Sequence, residues 1–385
     1  MDYECLEPLL LRGSAGMKNW ALAVSQLEEL ASLLGQSQLT ARFGPRRHSP
    51  GKVLWETQCP RRSLAAQRFL AWTKGEDPEL CSEFDPALYW GYIDYTYLLK
   101  LVPEAQAEAW VDWRPFGVQH HAHQSTLWLG TRGAYTPCHA DSYGFNLHAQ
   151  LRGRKRWLLA PPSETASRVL RPTRLPYEES SIFASLDLLS APAELEQIAG
   201  LRLVELEAGD VLFLPPHWWH SVQCLSDEAS LSVNTWAPVA ADGASRRREA
   251  VLRAAVALLD DGGLLPSEMG ILPSESEAGG LDMDTALADL NGLRRAEKED
   301  ETSGSKTGAE DDAALASFLE TASGLKAERI AEADFQELRS RLLLQSPLVM
   351  NPEEPSISNW DSNLKLDRMD FMRRLLNQIT DAGFF

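Results

Sequence analysis

The hydrophobic rhythm of the chain changes twice between its ends. In NWALAVSQLEELASLLG (19–35) apolar residues recur at roughly helical spacing and the run stops at Gly35, which predicts an amphipathic helix ended by glycine. LTARFG (39–44) then predicts a strand. From about Ser125 the apolar runs shorten to STLWLGT, FNLHAQL, KRWLLAPP, LRLVEL, DVLFLPP and SLSVNTW, each bounded by Gly, Pro, Asp or Ser. Several short strands in one segment predict a β-sandwich or jelly roll. The longer RPTRLPYEESSIFASLDLLSAPAELEQ (171–197) is expected to be an insertion between strands.

After Pro238 the strand pattern ends, and SRRREAVLRAAVALLDDGG (245–263) predicts a helix with a Gly-Gly stop. Residues 267–312 turn acidic and rich in Ser, Gly and Glu, with EKEDETSGSKTGAEDD (297–312) at their centre, the composition of a solvated linker. DAALASFLETASGL, ADFQELRSRLLLQ and DRMDFMRRLLNQIT then restore helical periodicity. The expected organisation is a domain over 1–240 with its strand-rich core at about 125–237, a helix over 241–266, an acidic linker over 267–312 and a helical C-terminal region over 313–385. No internal repeat is evident.

Composition narrows the function classes. At 385 residues the chain exceeds one typical domain, and 44% hydrophobic with 24% charged residues is ordinary for a globular protein. No apolar run reaches the roughly 18 residues that a membrane helix needs. The start, MDYECLEPLLLRG, does not read as a secretory signal, so the expected location is cytoplasmic, with the nucleus as a further address. Five scattered cysteines without a CxxC pair argue against a disulfide framework and a structural zinc module. The net charge of −18 disfavours non-specific nucleic-acid binding and favours basic peptides or small molecules as partners of the surface at large.

The candidate chemistry lies in GAYTPCHADSYGFN (133–146). Alternate side chains of a strand share a face, so His139 and Asp141 point one way while Cys138 and Ala140 point the other. Such a pair is two-thirds of a 2-His-1-carboxylate triad, which holds a non-haem Fe(II) and leaves coordination positions open. The third ligand must come from elsewhere, and GDVLFLPPHWWHSV (209–222) offers His217 and His220. Residues three apart in a strand face opposite ways, and the Pro-Pro before them disfavours a helix. The two are therefore not a ligand pair; His220, at the start of a later strand after AGDVLFLPP, is the candidate ligand, and His217 is expected to be a loop or rim residue. Thr136, Asn146, Lys155 in QLRGRKRWLLAPP and Asn234 in SVNTW accompany the triad. A lysine and a threonine hydroxyl beside an iron site supply a cation and a donor for a dicarboxylate co-substrate. Arg154 and Arg156 should face away from Lys155 as surface charges. His120, His121 and His123 in QHHAHQ read as a loop rather than a second metal site, His148 as a packed core histidine, and Trp128, Trp157, Trp218, Trp219 and Trp236 as core or pocket wall.

Taken in order, TPCHADSYGFNLHAQLRGRKRWLLAPP, AGDVLFLPPHWWHSV and SVNTW resemble the JmjC family of Fe(II)- and 2-oxoglutarate-dependent oxygenases, with PLLLRG and NWA similar to the family's opening strand. The resemblance spans about residues 8–238. DYTYLL, STLWLG, HADSYG and RLPYEESSIF resemble, within that family, the heat-shock-protein-associated JmjC proteins. It implies a mainly β fold with flanking helices, a double-stranded β-helix of the jelly-roll, cupin-like kind, with helices at its C-terminal end. By it His139, Asp141 and His220 bind Fe(II), Lys155 and Thr136 hold the C5 carboxylate of 2-oxoglutarate, and Asn146 and Asn234 line the pocket. O₂ would be the second co-substrate.

Between Asp141 and Asn146 the chain has one residue more than the similar asparaginyl hydroxylase of hypoxia-inducible factor, which a bulge or turn must absorb. A helix often found before the first strand in the family is expected to be missing or shortened. The activity implied is hydroxylation of a protein or peptide side chain, with an RNA base as a less favoured substrate; no zinc-type reader module speaks for demethylation. The alternative is a scaffold that docks a partner such as a small heat-shock protein through the C-terminal helices, which could also form a homodimer. Iron-free scaffolds of this fold usually lose a ligand, and none is lost here.

Overall fold

The computed structural model describes residues 6–24, 27–34, 37–47, 51–119, 122, 124–174, 181–190, 192–261 and 307–345, together with 288, 291 and 292. Its strands are β1 (Leu9–Leu11), β2 (Gln38–Pro45), β3 (Arg61–Ala65), β4 (Tyr89–Tyr97), β5 (Thr126–Gly130), β6 (Tyr135–Asp141), β7 (Phe145–Arg152), β8 (Lys155–Ala160), β9 (Pro172–Thr173), β10 (Ser181–Ala184), β11 (Arg202–Leu206), β12 (Val211–Leu214), β13 (Trp219–Cys224), β14 (Ser230–Ala237) and β15 (Glu328–Arg329). They form a nine-stranded sheet, β15-β1-β12-β7-β14-β5-β4-β2-β3, and a six-stranded sheet, β11-β8-β13-β6-β10-β9. The sheets face each other as the jelly roll expected from the sequence.

Alternation explains how the two sheets divide their side chains. In β7 the residues Phe145, Leu147, Ala149 and Leu151 point outward into a large apolar cluster that includes Leu30, Trp72 and Trp113 from the helical segments, while Asn146, His148 and Gln150 point inward. In β8 the inward set is Lys155, Trp157 and Leu159, and Leu158 and Ala160 face the opposite way into a second cluster. Both faces of each strand are covered, so the apolar runs look continuous rather than alternating. One end of the space between the sheets is closed by Leu10, Trp157, Leu159, Val204 and Leu212. The other end holds inward polar residues, and a site can form there.

Of the helix expected over 19–35, the described residues Ala21–Val24 and Leu27–Leu34 are helical. The segment 171–197 does more than insert: its β10 pairs with β6, Phe183 standing opposite His139. The helix Asp242–Asp261 begins a little before its expected start, and Thr307–Gly324 begins inside the stretch read as linker. That helix and Phe335–Gln345 pack on the jelly roll itself, one on each outer face. Phe318 stacks on Phe213 at 4.6 Å, and Leu315, Phe318 and Leu338 are wholly buried. Leu315, Phe318 and Leu338 are thus used within the chain, so a homodimer through these two helices would need other residues.

One expectation is overturned. Arg156 is buried, because the helix Phe335–Gln345 covers its side of β8; its guanidinium donates to Glu205 Oε1 at 2.8 Å and to the Arg341 carbonyl at 2.8 Å. Arg154 is exposed as expected. His120, His121, His123 and the segment DRMDFMRRLLNQIT lie outside the described residues.

Candidate functional site

Strand register assembles the three predicted ligands. His139 and Asp141 sit two apart near the end of β6, and β13 pairs with β6 so that His220 stands directly opposite His139. Their rings are 4.1 Å apart between centroids, His139 Nε2 lies 3.6 Å from Asp141 Oδ1, and one potential ligand atom from each residue falls within 4.8 Å of the others. Among the described residues this is the one group of three or more His, Cys, Asp or Glu side chains so arranged.

The surroundings orient each donor. Nδ1 of His139 lies 2.8 Å from the Pro137 carbonyl and Nδ1 of His220 lies 3.0 Å from the Trp218 carbonyl. A nitrogen facing a carbonyl carries the proton, so both Nε2 lone pairs are left for a metal. Trp236 Nε1 donates to Asp141 Oδ2 at 2.9 Å, leaving Oδ1 for coordination. Burial lowers the His220 imidazole to about 4, with the neighbouring His139 adding to the effect and Asp141 opposing it. The ring is therefore neutral, the form that binds a metal. Two imidazoles and a carboxylate on one side of a cavity fit a non-haem iron, which prefers this donor set with open positions.

Next to the triad is a cavity of about 180 Å³ lined from both sheets. Lys155 enters it from β8, and its ammonium donates to Ser232 Oγ at 2.7 Å and to Tyr92 Oη at 3.2 Å while lying over the Tyr92 and Trp128 rings. Burial lowers it to about 8. A buried cation is ordinarily paired with an anion. Here the hydrogen-bond partners are two hydroxyls, which fits a site waiting for a carboxylate. Thr136 lines the same cavity as Tyr92, whose phenol pKa burial raises so that it stays protonated. Asn234 Nδ2 donates to Asn146 Oδ1 at 3.0 Å, and Trp128 Nε1 donates to Asn234 Oδ1 at 2.7 Å. The two asparagines therefore form one fixed pair on the cavity wall.

All seven predicted site residues converge on this cavity. The extra residue before Asn146 is taken up in the turn Ser142–Gly144, where Gly144 has φ +74 and its N–H donates to Asp242 Oδ1 at 2.8 Å. His217 is exposed in the turn before β13, with φ 64, and is no partner of the triad. Sequence reasoning missed Tyr92 and Ser232. Ser232 could have been found from its place two residues before Asn234, on the same face of a strand. Tyr92 could not, since nothing in ALYWGYIDYTY separates a pocket tyrosine from a core one. His148 is buried as expected but lines the cavity, edge-on to Trp157 at 4.6 Å, and burial followed by the nearby Lys155 charge holds it neutral.

Such a jelly roll, with a metal-type triad at its open end, defines the cupin class of proteins. The chain belongs to the cupin-like domain family, which matches residues 8–237, and within it to the JmjC type. It is 39% identical over 241 residues to HSPB1-associated protein 1 of Rattus norvegicus, covering 60% of this chain and 49% of that protein. Against the Homo sapiens protein of the same name identity is 35% over 251 residues, 63% of this chain and 50% of the relative. A shorter match, 36% over 110 residues, covers 28% of this chain and 26% of the 2-oxoglutarate and iron-dependent oxygenase JMJD4 of Homo sapiens. The chain spans about half the length of the HSPB1-associated proteins that it matches.

Proposed function

We propose that this chain is an Fe(II)- and 2-oxoglutarate-dependent dioxygenase that hydroxylates a protein side chain. The observation that carries the proposal is one cavity holding both a two-imidazole, one-carboxylate cluster and a buried ammonium whose hydrogen bonds go to hydroxyls. The likeness to JMJD4, named as a 2-oxoglutarate and iron-dependent oxygenase, supports it.

When bound, iron would activate O₂, the oxidant, and 2-oxoglutarate would supply two of the electrons, leaving as succinate and CO₂. The chain's own part is binding and exclusion. His139, Asp141 and His220 would hold the metal, their orientation fixed by two backbone carbonyls and the Trp236 indole. Lys155 would pair with the C5 carboxylate, with Ser232, Tyr92 and Thr136 as hydroxyl neighbours. Asn146 and Asn234 would fix the wall beside it, and Trp128 and Trp157 would keep water from the reacting atoms.

The test is metal and 2-oxoglutarate binding by the full chain, followed by succinate release under O₂. Both are expected in the wild type. Succinate release should vanish in His139→Ala, and a wild-type chain that binds neither metal nor 2-oxoglutarate would overturn the proposal.

The relatives' printed name motivates a second, compatible reading, that the chain also associates with a small heat-shock protein. Purified HSPB1 should then be retained by immobilised His139→Ala as well as by wild type. Absence of binding to both would sink this association and leave the oxygenase reading intact.

A further inference from the structure

Among the described residues, the side chains at the cavity mouth differ in charge from the chain as a whole. Tyr92, Tyr95 and Tyr97 all line the cavity, yet in a regular strand Tyr92 and Tyr95, three apart, would face opposite ways. The pairing of β4 with β5 is irregular between Ile93 and Thr96, and Tyr95 adopts φ 47 there. A left-handed backbone at an aromatic residue is costly and persists only where the surrounding structure imposes it. Here it re-aims the strand, so that Tyr95 packs on Trp128 at 4.8 Å between ring centroids.

Two cations sit over tyrosines of this mouth. The Arg246 guanidinium lies 4.5 Å from the Tyr143 ring centroid and the Lys100 ammonium 5.5 Å from that of Tyr97, and both basic residues are exposed. Asp242, one helical turn before Arg246, is turned inward and takes the N–H groups of Gly144 at 2.8 Å and Val239 at 3.0 Å. Glu249, three residues after Arg246, is turned inward to Arg174 and Ser142, and Asp141 is held by Trp236 within the triad. The chain carries 55 acidic against 37 basic residues, so a rim of this sign runs against its bulk charge. Screening over about 8 Å at physiological salt lets the local cations prevail for a ligand at the mouth.

We propose that the mouth selects an acidic peptide, the hydroxylated residue lying near an Asp or Glu whose carboxylate meets Arg246 and Lys100. The peptide backbone lies along Tyr95, Tyr97 and Tyr143. This rests on the hydroxylase reading and names its substrate class. A nucleic acid is also anionic, but its affinity grows from an array of phosphate contacts, and a few cations on a chain of net charge −18 do not provide one.

The test uses the full chain loaded with Mn(II) and 2-oxoglutarate, so that binding is read without turnover. Fluorescein-labelled peptides rich in Asp and Glu are compared with Asn/Gln counterparts of equal length and with an RNA oligonucleotide. The acidic peptides should bind about tenfold tighter than the amide ones, the gap closing as salt rises. Arg246→Glu combined with Lys100→Glu should reverse the preference, and Arg246→Lys should keep it. Equal binding of acidic and amide peptides, no peptide binding, an unchanged preference in the double variant, or tighter binding of RNA would each overturn the inference. Affinity for 2-oxoglutarate is measured separately: its absence counts against the oxygenase reading, whereas its presence without a charge preference counts against the acidic peptide only.

Discussion

Lys155 is the residue whose environment has the sharpest functional consequence. Burial lowers it to about 8, so in the free protein the cation that would meet the co-substrate begins to discharge just above neutrality. Binding a carboxylate needs the proton, so the affinity for 2-oxoglutarate should be flat below pH 8. Above it, affinity should fall by up to about tenfold per pH unit, a slope that calorimetry on wild type will show and Lys155→Met will lack. The sign for folding is the reverse. The native state holds this proton less tightly than the unfolded chain, so this residue's contribution to stability grows as pH climbs from about 8 towards the usual lysine value of 10.5. At the metal the corresponding residue is Trp236, whose indole holds the carboxylate oxygen that faces away from the cluster. Trp236→Phe keeps the ring and removes the donor. It should weaken metal affinity by about 10- to 100-fold in a direct titration while leaving the melting temperature almost unchanged.

Among the elements, those with a strong local pattern were legible in the sequence and those defined by their neighbours were not. FNLHAQL and KRWLLAPP read as strands because turn residues bound them, and the two-residue period placed His139 beside Asp141. His220 stood out as the histidine that opens a later strand, although the register that sets it opposite His139 could not be read. β10 escaped notice because its four residues gain their partner from β6 and lie in a Pro- and Glu-rich stretch. Arg156 was misread for a related reason: a charged residue on the outer face of a strand looks solvated until a helix from far along the chain covers it. That helix can be tested. Leu338 is wholly buried in it, against the face of the six-stranded sheet that also contains Cys138 and Leu158. Leu338→Ala should cost about 2–5 kcal/mol in chemical denaturation, whereas a helix merely resting on the surface would cost far less.

For the whole molecule, the helices after residue 306 complete the fold. Phe318 and Leu315 finish the apolar layer outside the nine-stranded sheet, in the same cluster as Phe145, Leu147 and Phe213. A chain ending at residue 261 should therefore expose Phe145, Leu147 and Phe213, bind a hydrophobic dye and melt well below the full chain. The two sheets also share the site unequally. His139, Asp141 and His220 all stand on β6 and β13 of the six-stranded sheet, whereas the co-substrate pocket draws Thr136 and Lys155 from that sheet and Tyr92, Asn146, Ser232 and Asn234 from the other. The metal ligands come from one sheet, with a single hydrogen bond from Trp236 of β14 reaching them from the other; co-substrate binding draws most of its groups from across the gap and needs the two sheets held at a fixed separation. Loosening the sandwich by heat, or through Phe318→Ala on its far side, should therefore erode 2-oxoglutarate affinity first and metal affinity later. Between those two points the protein would still hold iron but could no longer couple it to its fuel.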